Sequence, residues 1–208
     1  MDQSIIIQSA QHGDLDSFNQ LVLAYQDRIF NIAVWMLESE DCAADAVQNA
    51  FILAFRKIGS FCGGSFDFWL LRIIKNVCYD ELRRKKRQLT TPLEPLIDDE
   101  EFDAPTWLTD HSQNMDELID AVELSEAIRA GLQMLTPEYR MVITLADVDG
   151  LEYAEVAQIL GVPIGTVKSR LSRARVELRR ELRRCADLLP DVYARAQTVL
   201  IPKAVTAG

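Results

Sequence analysis

The chain has 208 residues, 49% of them hydrophobic, and a formal net charge of −10. This hydrophobic share excludes a chain that is disordered throughout, and the length allows one large domain or two small ones. No stretch approaches the roughly 20 apolar residues that cross a bilayer, and the first residues lack the charge pattern of a signal peptide. We therefore expect a cytoplasmic protein that does not insert into a membrane.

The charges are segregated along the chain. Residues 1–55 hold eight acids and one base, and residues 88–126 hold twelve acids and no Lys or Arg. Residues 72–87 hold seven bases against two acids, and residues 163–184 hold eight against two. Because salt screens each charge cluster beyond about 10 Å, a local patch matters more than the total. Two basic patches in an acidic protein are compatible with binding to nucleic acid.

The cysteines do not form a ligand pattern. They are widely spaced, with no Cys-x-x-Cys pair and no histidine near any of them, whereas zinc sites bring such residues together at short spacings. The four are Cys42, Cys62, Cys78 and Cys185. We expect free thiols, buried or half-buried, in a reducing compartment, and we expect no metal and no cofactor.

Apolar residues recur every three or four positions in the first part of the chain, which is typical of α-helices. The repeats predict helices over about 18–36, 44–58 and 67–87, and the glycines and serines of Gly59–Ser65 predict a loop between the last two. We expect these helices to form one domain, residues 1–87. Residues 88–120 contain three prolines and the run Asp98–Glu101, so they are predicted to be an acidic flexible linker.

A second helical domain is predicted over residues 121–186. Thr136 followed by Pro137 is a strong helix start, and a short helix over 152–160, a turn at Gly161–Pro163 and a long helix to about 184 follow. The tail, residues 187–208, has no assigned role. The predicted fold is all-α, with two small helical domains joined by the linker.

The short helix, turn and long helix have the order of a helix-turn-helix, whose second helix enters the major groove of DNA. The outward residues of this second helix combine short hydroxyls with cations, which suit phosphates and guanine edges. They are Thr166, Lys168, Ser169, Arg170, Ser172 and Arg173. The alternative is a solvated charged helix that packs against its neighbours.

Two other helix faces carry unusual mixtures of residues. On the third helix, cations, an amide and a tyrosine fall on one stripe away from the core, a combination that suits single-stranded DNA. The stripe contains Arg72, Asn76, Tyr79, Arg83 and Lys86. On the second helix, Asp45, Gln48, Ile52 and Arg56 share a face that suits a partner helix. A solvated amphipathic helix is the alternative in both cases.

Several of these segments resemble bacterial sigma factors of the sigma-70 family. Residues 165–175, preceded by Leu135–Arg140 and Tyr153–Ala157, resemble region 4, and residues 45–51 and 66–84 resemble region 2. The order and spacing are most similar to the extracytoplasmic-function (ECF) group, whose members contain only these two regions. The resemblance covers about three-quarters of the chain, so it is far more specific than a lone helix-turn-helix.

The resemblance implies a sigma factor that binds core RNA polymerase and directs promoter-specific initiation of transcription, including stress responses, without being an enzyme. Its partners would be the clamp of the largest polymerase subunit, the flap of the second-largest subunit, promoter DNA and an anti-sigma factor. The residues implied to bind polymerase are Asp45, Gln48 and Ile52. Those implied to bind the −10 element are Phe66, Trp69, Arg72, Asn76, Tyr79 and Arg83. Those implied to bind the −35 element are Thr166, Lys168, Ser169, Ser172, Arg173 and Arg175.

Two other classes of protein remain as alternatives. A helix-turn-helix transcriptional regulator that is not a polymerase subunit would need a receiver or ligand-binding domain at its N-terminus, and the helical segment 14–87 does not resemble one. A helical interaction protein that does not bind DNA would not need two separate basic faces.

Overall fold

The computed structural model describes residues 3–37, 39–89 and 125–186. In these ranges the chain forms α-helices, one 3-10 turn and one π-helical turn, and no strand. The predicted all-α fold with two helical domains is therefore confirmed. None of the helices in these ranges is long and apolar enough to cross a membrane. Most of the predicted linker, including its acidic run, and the tail 187–208 lie outside the described residues.

Within residues 3–89 as described, four helices form the N-terminal unit. They are α1 (Gln3–Gln11), α2 (Leu15–Met36), α3 (Glu40–Lys57) and α4 (Phe66–Leu89). Helix α2 begins where the Asp14 carboxylate accepts a hydrogen bond from the Ser17 N–H at 3.1 Å. Helix α3 begins where the Ser39 hydroxyl accepts one from the Cys42 N–H at 3.2 Å. These side chains satisfy N–H groups that have no partner within the helix.

The sequence does not predict helix α1. Its apolar residues Ile5–Ile7 form a continuous run, which has no helical period, and tertiary contacts fix the helix instead. Ile7 and Ala10 are buried, and Gln11 Nε2 donates hydrogen bonds to the carbonyls of Ile58 at 3.1 Å and Phe61 at 2.7 Å. Helix α1 is thereby attached to the chain segment that leads into the loop before α4.

The inner face of α3 consists of alanines. Ala43, Ala46, Ala50 and Ala54 are all buried, and α3 packs against both α2 and α4. Because an alanine side chain is a single methyl group, the neighbouring helices can approach α3 closely. The larger side chains of Val47 and Phe51 flank this face and are half-buried against the core.

Within residues 125–186, the C-terminal unit also has four helices. They are α5 (residues 125–133 of the described range), α6 (Pro137–Ile143), α7 (Tyr153–Leu160) and α8 (Ile164–Ala186). The predicted start at Thr136 and Pro137 is confirmed, with Pro137 in the first turn of α6. Helix α7 ends at Gly161, whose φ of 70° is a left-handed conformation that favours glycine.

Helix α6 continues into a π-helical turn over Thr144–Val148. The Asp149 N–H donates to the Thr144 carbonyl at 2.9 Å, five residues back instead of the usual four. The sequence predicts the end of this helix at Asp149–Gly150, but it does not predict the wider turn. Asp147 lies within the π-helical turn, and Asp149 directly follows it.

The two helical units pack against each other. Helix α4 lies against α6 and α7, and α2 lies against α6 and the π-helical turn. The sequence predicts two domains but gives no indication that they are in contact.

Three thiols are described, and all are free. Cys78 is buried and Cys42 is half-buried, as predicted, and burial raises the pKa of the Cys78 thiol to about 12. Cys62 is exposed, so the expectation that it would be at least half-buried is wrong. It lies in the loop before α4, which contributes little to the core. The side chain of Cys185 lies outside the described residues.

Candidate promoter and polymerase interfaces

The outer face of α3 is exposed and chemically mixed. Asp45 and Gln48 are exposed, and Ile52 keeps 43% of its surface in water. One turn further on, Phe55 is 38% exposed and packs edge-on against Phe18, with ring centroids 5.0 Å apart. Exposed apolar groups beside a carboxylate and an amide are typical of a surface that binds another protein.

The loop between α3 and α4 rests on a cluster of aromatic rings. Phe66 lies 5.6 Å from Phe61, 5.3 Å from Trp69 and 5.6 Å from Tyr25 between ring centroids. Phe66 is only 4% exposed and Trp69 is half-buried. Phe66 therefore packs in the core underneath the loop, and Trp69 lies at the boundary between the core and the surface.

The loop itself has a conformation that requires glycine. Gly63 and Gly64 have φ angles of 94° and 88°, a backbone conformation that residues with a side chain rarely adopt. The hydroxyl of Ser65 then accepts a hydrogen bond from the Phe68 N–H at 3.3 Å and starts α4. Both glycines, together with Phe61 and Phe66, border an open space beside the loop.

A cavity of about 510 Å³ occupies this space, between the loop, α1 and the start of α4. Its wall includes Gln8 and Gln11 of α1, Tyr25 of α2, Cys62 of the loop and Asp67 of α4. Cavities of this size hold small organic groups, and amide and hydroxyl groups can orient them by hydrogen bonds. The sequence does not indicate the cavity, because one wall belongs to the unpredicted helix α1.

Most of the predicted −10 stripe on α4 is accessible. Arg72, Asn76 and Arg83 are exposed. Arg83 pairs with Asp80 at 3.0 Å, but both side chains are more than 70% exposed, so water screens the pair. Tyr79 differs from the prediction because it is half-buried near Glu138 of α6 and Arg170 of α8. Burial raises the pKa of the Tyr79 hydroxyl to about 12.

Helix α8 has the two faces that its sequence predicts. The inward residues Val167, Leu171, Ala174, Leu178 and Leu182 are buried. The opposite face exposes Lys168, Ser169, Ser172 and Arg173. Thr166 and Arg170, which are also predicted to point outward, are half-buried, and the Thr166 carbonyl accepts a hydrogen bond from the Ser169 hydroxyl at 3.0 Å. The exposed four are therefore available together on the helix-turn-helix.

Arg175 has a different environment. Its Nε and Nη2 donate to the two carboxylate oxygens of Asp147 at 2.9 and 2.6 Å. The side chains are only 23% and 10% exposed. Such bidentate pairs are stronger than neutral hydrogen bonds and fix the geometry of both partners. Arg175 therefore joins α8 to the π-helical turn, whereas Arg173, two residues earlier, is exposed.

Comparisons with known proteins agree with this architecture. Residues 21–88 match Sigma-70 region 2, and residues 125–178 match Sigma-70, region 4. The chain is 35% identical to the ECF RNA polymerase sigma factor SigW of Bacillus subtilis, over 85% of this chain and 95% of that protein. It is also 35% identical to the ECF RNA polymerase sigma-E factor of Escherichia coli K12, over 84% of this chain and 91% of that protein.

Solved structures agree as well. The sigma factor RpoE from Bartonella quintana, in complex with the anti-sigma factor NepR, superposes with a TM-score of 0.63 at 27% identity, over 81% of this chain and 98% of that one. CnrH in complex with the cytosolic domain of CnrY shares the fold, with a TM-score of 0.59 at 24% identity over 90% and 97% of the two chains. Because both regions match in the order of the family and over nearly the full length of two such factors, the chain belongs to the ECF group of the sigma-70 family of transcription initiation factors.

Proposed function

We propose that the outer face of α3 binds core RNA polymerase, that α4 and the loop before it bind the −10 element, and that the outer face of α8 binds the −35 element. The observation that carries the proposal is the arrangement of α8. Lys168, Ser169, Ser172 and Arg173 are exposed on one face, opposite a buried apolar stripe, in the second helix of a helix-turn-helix.

The chemistry of this face supports reading of duplex DNA. Short hydroxyl side chains at Ser169 and Ser172 allow the helix backbone to come close to the base edges. Lys168 and Arg173 supply charges for phosphates or for the acceptors of a guanine. In this proposal Arg175 positions α8 through its ion pair with Asp147. A direct contact of Arg175 with the −35 element stays a prediction.

The chemistry of α4 supports capture of a single strand. Arg72 and Arg83 neutralise phosphates, Asn76 can bond to a base edge, and the neighbouring cavity can take a base that has left the stack. Extruding a base costs a few kcal/mol, which binding of the unpaired strand offsets. In this proposal Phe66 and Trp69 act by shaping the loop, because the first is buried and the second is half-buried.

The proposed partners follow from the similarity to ECF sigma factors. The face of α3 is assigned to the clamp of the largest polymerase subunit, and the C-terminal unit to the flap of the second-largest subunit. An anti-sigma factor is a third partner, and the similarity to RpoE of Bartonella quintana, solved with the anti-sigma factor NepR, supports this assignment.

A charge reversal on α3 tests the polymerase contact. Asp45→Arg with Gln48→Ala places a cation on the proposed interface without changing buried residues, so we expect loss of co-purification with core polymerase and loss of run-off transcription. The matched control is Asp27→Arg with Gln26→Ala, which makes the same changes on the exposed surface of α2. Circular dichroism should show unchanged helicity for both. Wild-type binding by the α3 variant would contradict the assignment.

A further inference from the structure

Helix α1 precedes residues 21–88, which match Sigma-70 region 2, and the proposed function gives none of its side chains a specific role. The helix is nevertheless firmly placed, because Ile7 and Ala10 are buried against the rest of the N-terminal unit. After the helix the chain turns at Gly13, whose φ of 92° is a left-handed conformation. Gln11, the last residue of the helix, therefore has a fixed position.

The side-chain amide of Gln11 holds the segment that enters the loop before α4. Its Nε2 donates hydrogen bonds to the Ile58 carbonyl at 3.1 Å and to the Phe61 carbonyl at 2.7 Å. An amide nitrogen carries two N–H groups, so one side chain satisfies both acceptors. The two carbonyls lie 47 and 50 residues further along the chain. The contact thus ties the start of the chain to the segment that leads into the loop.

Both ends of the loop are fixed in this way. On the entry side, Phe61 is held through its carbonyl by Gln11 and through its ring by the aromatic cluster under the loop. On the exit side, the Ser65 hydroxyl accepts a hydrogen bond from the Phe68 N–H at 3.3 Å. Only Cys62–Gly64 lie between these ends, and two of the three are glycines, which restrict the backbone little. The contacts at the ends therefore determine where the loop tip lies.

The position of the loop tip matters because recognition of a base depends on short distances. A hydrogen bond to a base edge requires a separation of about 2.7–3.2 Å and weakens steeply when it is misaligned. Attraction between cations and phosphates, in contrast, acts over about 10 Å. The loop forms one wall of the cavity of about 510 Å³ that is proposed to take the extruded base. A loop tip that is released from Gln11 should therefore lose discrimination between bases more than general attraction to the strand.

We propose that Gln11 is a positioning residue for −10 recognition, and that its amide holds the loop before α4 at the distance from which the loop discriminates between bases. This inference rests on the proposed role of the loop in binding the −10 element. Gln11 acts through the carbonyls of Ile58 and Phe61 and needs no contact with DNA. Helix α1 thereby belongs to the structure that reads the promoter.

Three substitutions of similar length separate positioning from packing. Gln11→Met has no donor, Gln11→Glu places oxygens opposite the two carbonyls, and Gln11→Lys keeps a donor. Each full-length variant is combined with core RNA polymerase and tested by run-off transcription on a promoter library that is randomised over the −10 element. The matched control is Gln20→Met, the same change on the exposed surface of α2.

We expect Gln11→Met and Gln11→Glu to lower the preference for the base that wild type selects, at one or more −10 positions, by roughly fivefold. This is the lower end of the discrimination that one specific base contact provides. Gln11→Lys and Gln20→Met should keep the wild-type preference. A loss by Gln11→Lys as large as the loss by Gln11→Met would overturn the inference, because the retained donor would then have no effect.

A change in the loop itself separates failure of this inference from failure of the proposed function. Gly64→Ala places a Cβ on a residue with a φ of 88°, so it strains the loop directly. If Gly64→Ala reduces the base preference but Gln11→Met and Gln11→Glu do not, the loop reads the −10 element and Gln11 does not position it. If none of the three changes the preference, both the assignment of the loop and the inference are overturned.

NMR relaxation of the free full-length chain tests the positioning without DNA. Backbone order parameters are about 0.85 for rigid amides and below about 0.6 for flexible ones. We expect the amides of Gly63 and Gly64 to lie near the first value in wild type and Gln11→Lys, and to move toward the second in Gln11→Met and Gln11→Glu. Equal order parameters in wild type and in the Gln11→Met and Gln11→Glu variants would overturn the inference, whatever the transcription assay shows.

Discussion

Arg173 and Arg175 are both assigned to the −35 element from the sequence, Arg173 facing the major groove and Arg175 nearer the DNA backbone, and the structure gives them different environments. Arg173→Ala removes an exposed side chain, so the free energy of unfolding should change by about 0.5 kcal/mol or less. Arg175→Ala leaves the Asp147 carboxylate, 10% exposed, without the partner that donated two hydrogen bonds. Hydrogen bonds to charged groups contribute about 1.5–3 kcal/mol, so Arg175→Ala should lower the free energy of unfolding by about 2–3 kcal/mol. At about 2–4 °C per kcal/mol, the expected loss in Tm is roughly 4–12 °C.

The same pair should differ in DNA recognition. A base-reading arginine contributes about 1–3 kcal/mol at one base pair, which is about a 5- to 150-fold preference, so Arg173→Ala should relax specificity at one position of the −35 element. Arg179→Ala, further along α8, should weaken all sequences equally and lower the salt dependence, as expected for a phosphate contact. The assay is competition among single-base −35 variants at two or more salt concentrations, with thermal unfolding measured in parallel.

Two results would refute the reasoning. If Arg173→Ala weakens every −35 variant equally, Arg173 contacts a phosphate and α8 is rotated relative to the proposed arrangement. If Arg175→Ala leaves the Tm unchanged, the Asp147 pair does not stabilise the second unit.

Three further predictions concern other parts of the chain. Asn76→Ala should impair formation of the open promoter complex more than closed-complex binding, seen as lower permanganate reactivity of thymines near −10, and unchanged reactivity would count against the α4 stripe. Iodoacetamide at pH 8 should alkylate exposed Cys62 quickly but Cys78 only on unfolding, because burial raises the pKa of Cys78 to about 12 and keeps it a thiol; equal rates by peptide mass spectrometry would contradict the packing. Replacing the acidic run 98–101, which lies outside the described residues, by Gly and Ser should weaken holoenzyme formation or alter early transcript release, whereas no change in either would limit the acids to a role in solubility.

The sequence predicts those features that depend on the residue types within a single helix. Apolar residues at helical spacing in α8 determine which face is buried, so the exposed position of Arg173 follows from Val167 and Leu171. The same argument gives the boundaries of α2 and α4 approximately. It gives no information on α1, because the run Ile5–Ile7 has no helical period and the helix is fixed by contacts of Gln11 with the distant residues Ile58 and Phe61.

Several contacts between the two units leave no signature in the sequence. Arg72, Lys75 and Arg140 all donate to backbone carbonyls, and every residue has a carbonyl, so the acceptor side of each contact carries no residue preference. Periodicity places Tyr79 on the same face as Arg72, and only the packed second unit makes it half-buried. The sequence likewise does not predict the pairing of Arg175 with Asp147, because this pairing depends on the shape of the turn at the end of α6.

Two ion pairs, Arg175–Asp147 and Arg28–Asp149, depend on the π-helical turn of Thr144–Val148. They therefore depend on the number of residues in this turn as well as on the residue types. Within this short segment Asp147 faces Arg175 of its own unit, while Asp149 faces Arg28 of the other. Removal of one residue from the turn would restore regular α-helical spacing and rotate the residues after it by about 100° relative to α6. Loss of a single codon could therefore uncouple the two units and loosen α8 while every arginine and aspartate of the two pairs is still present.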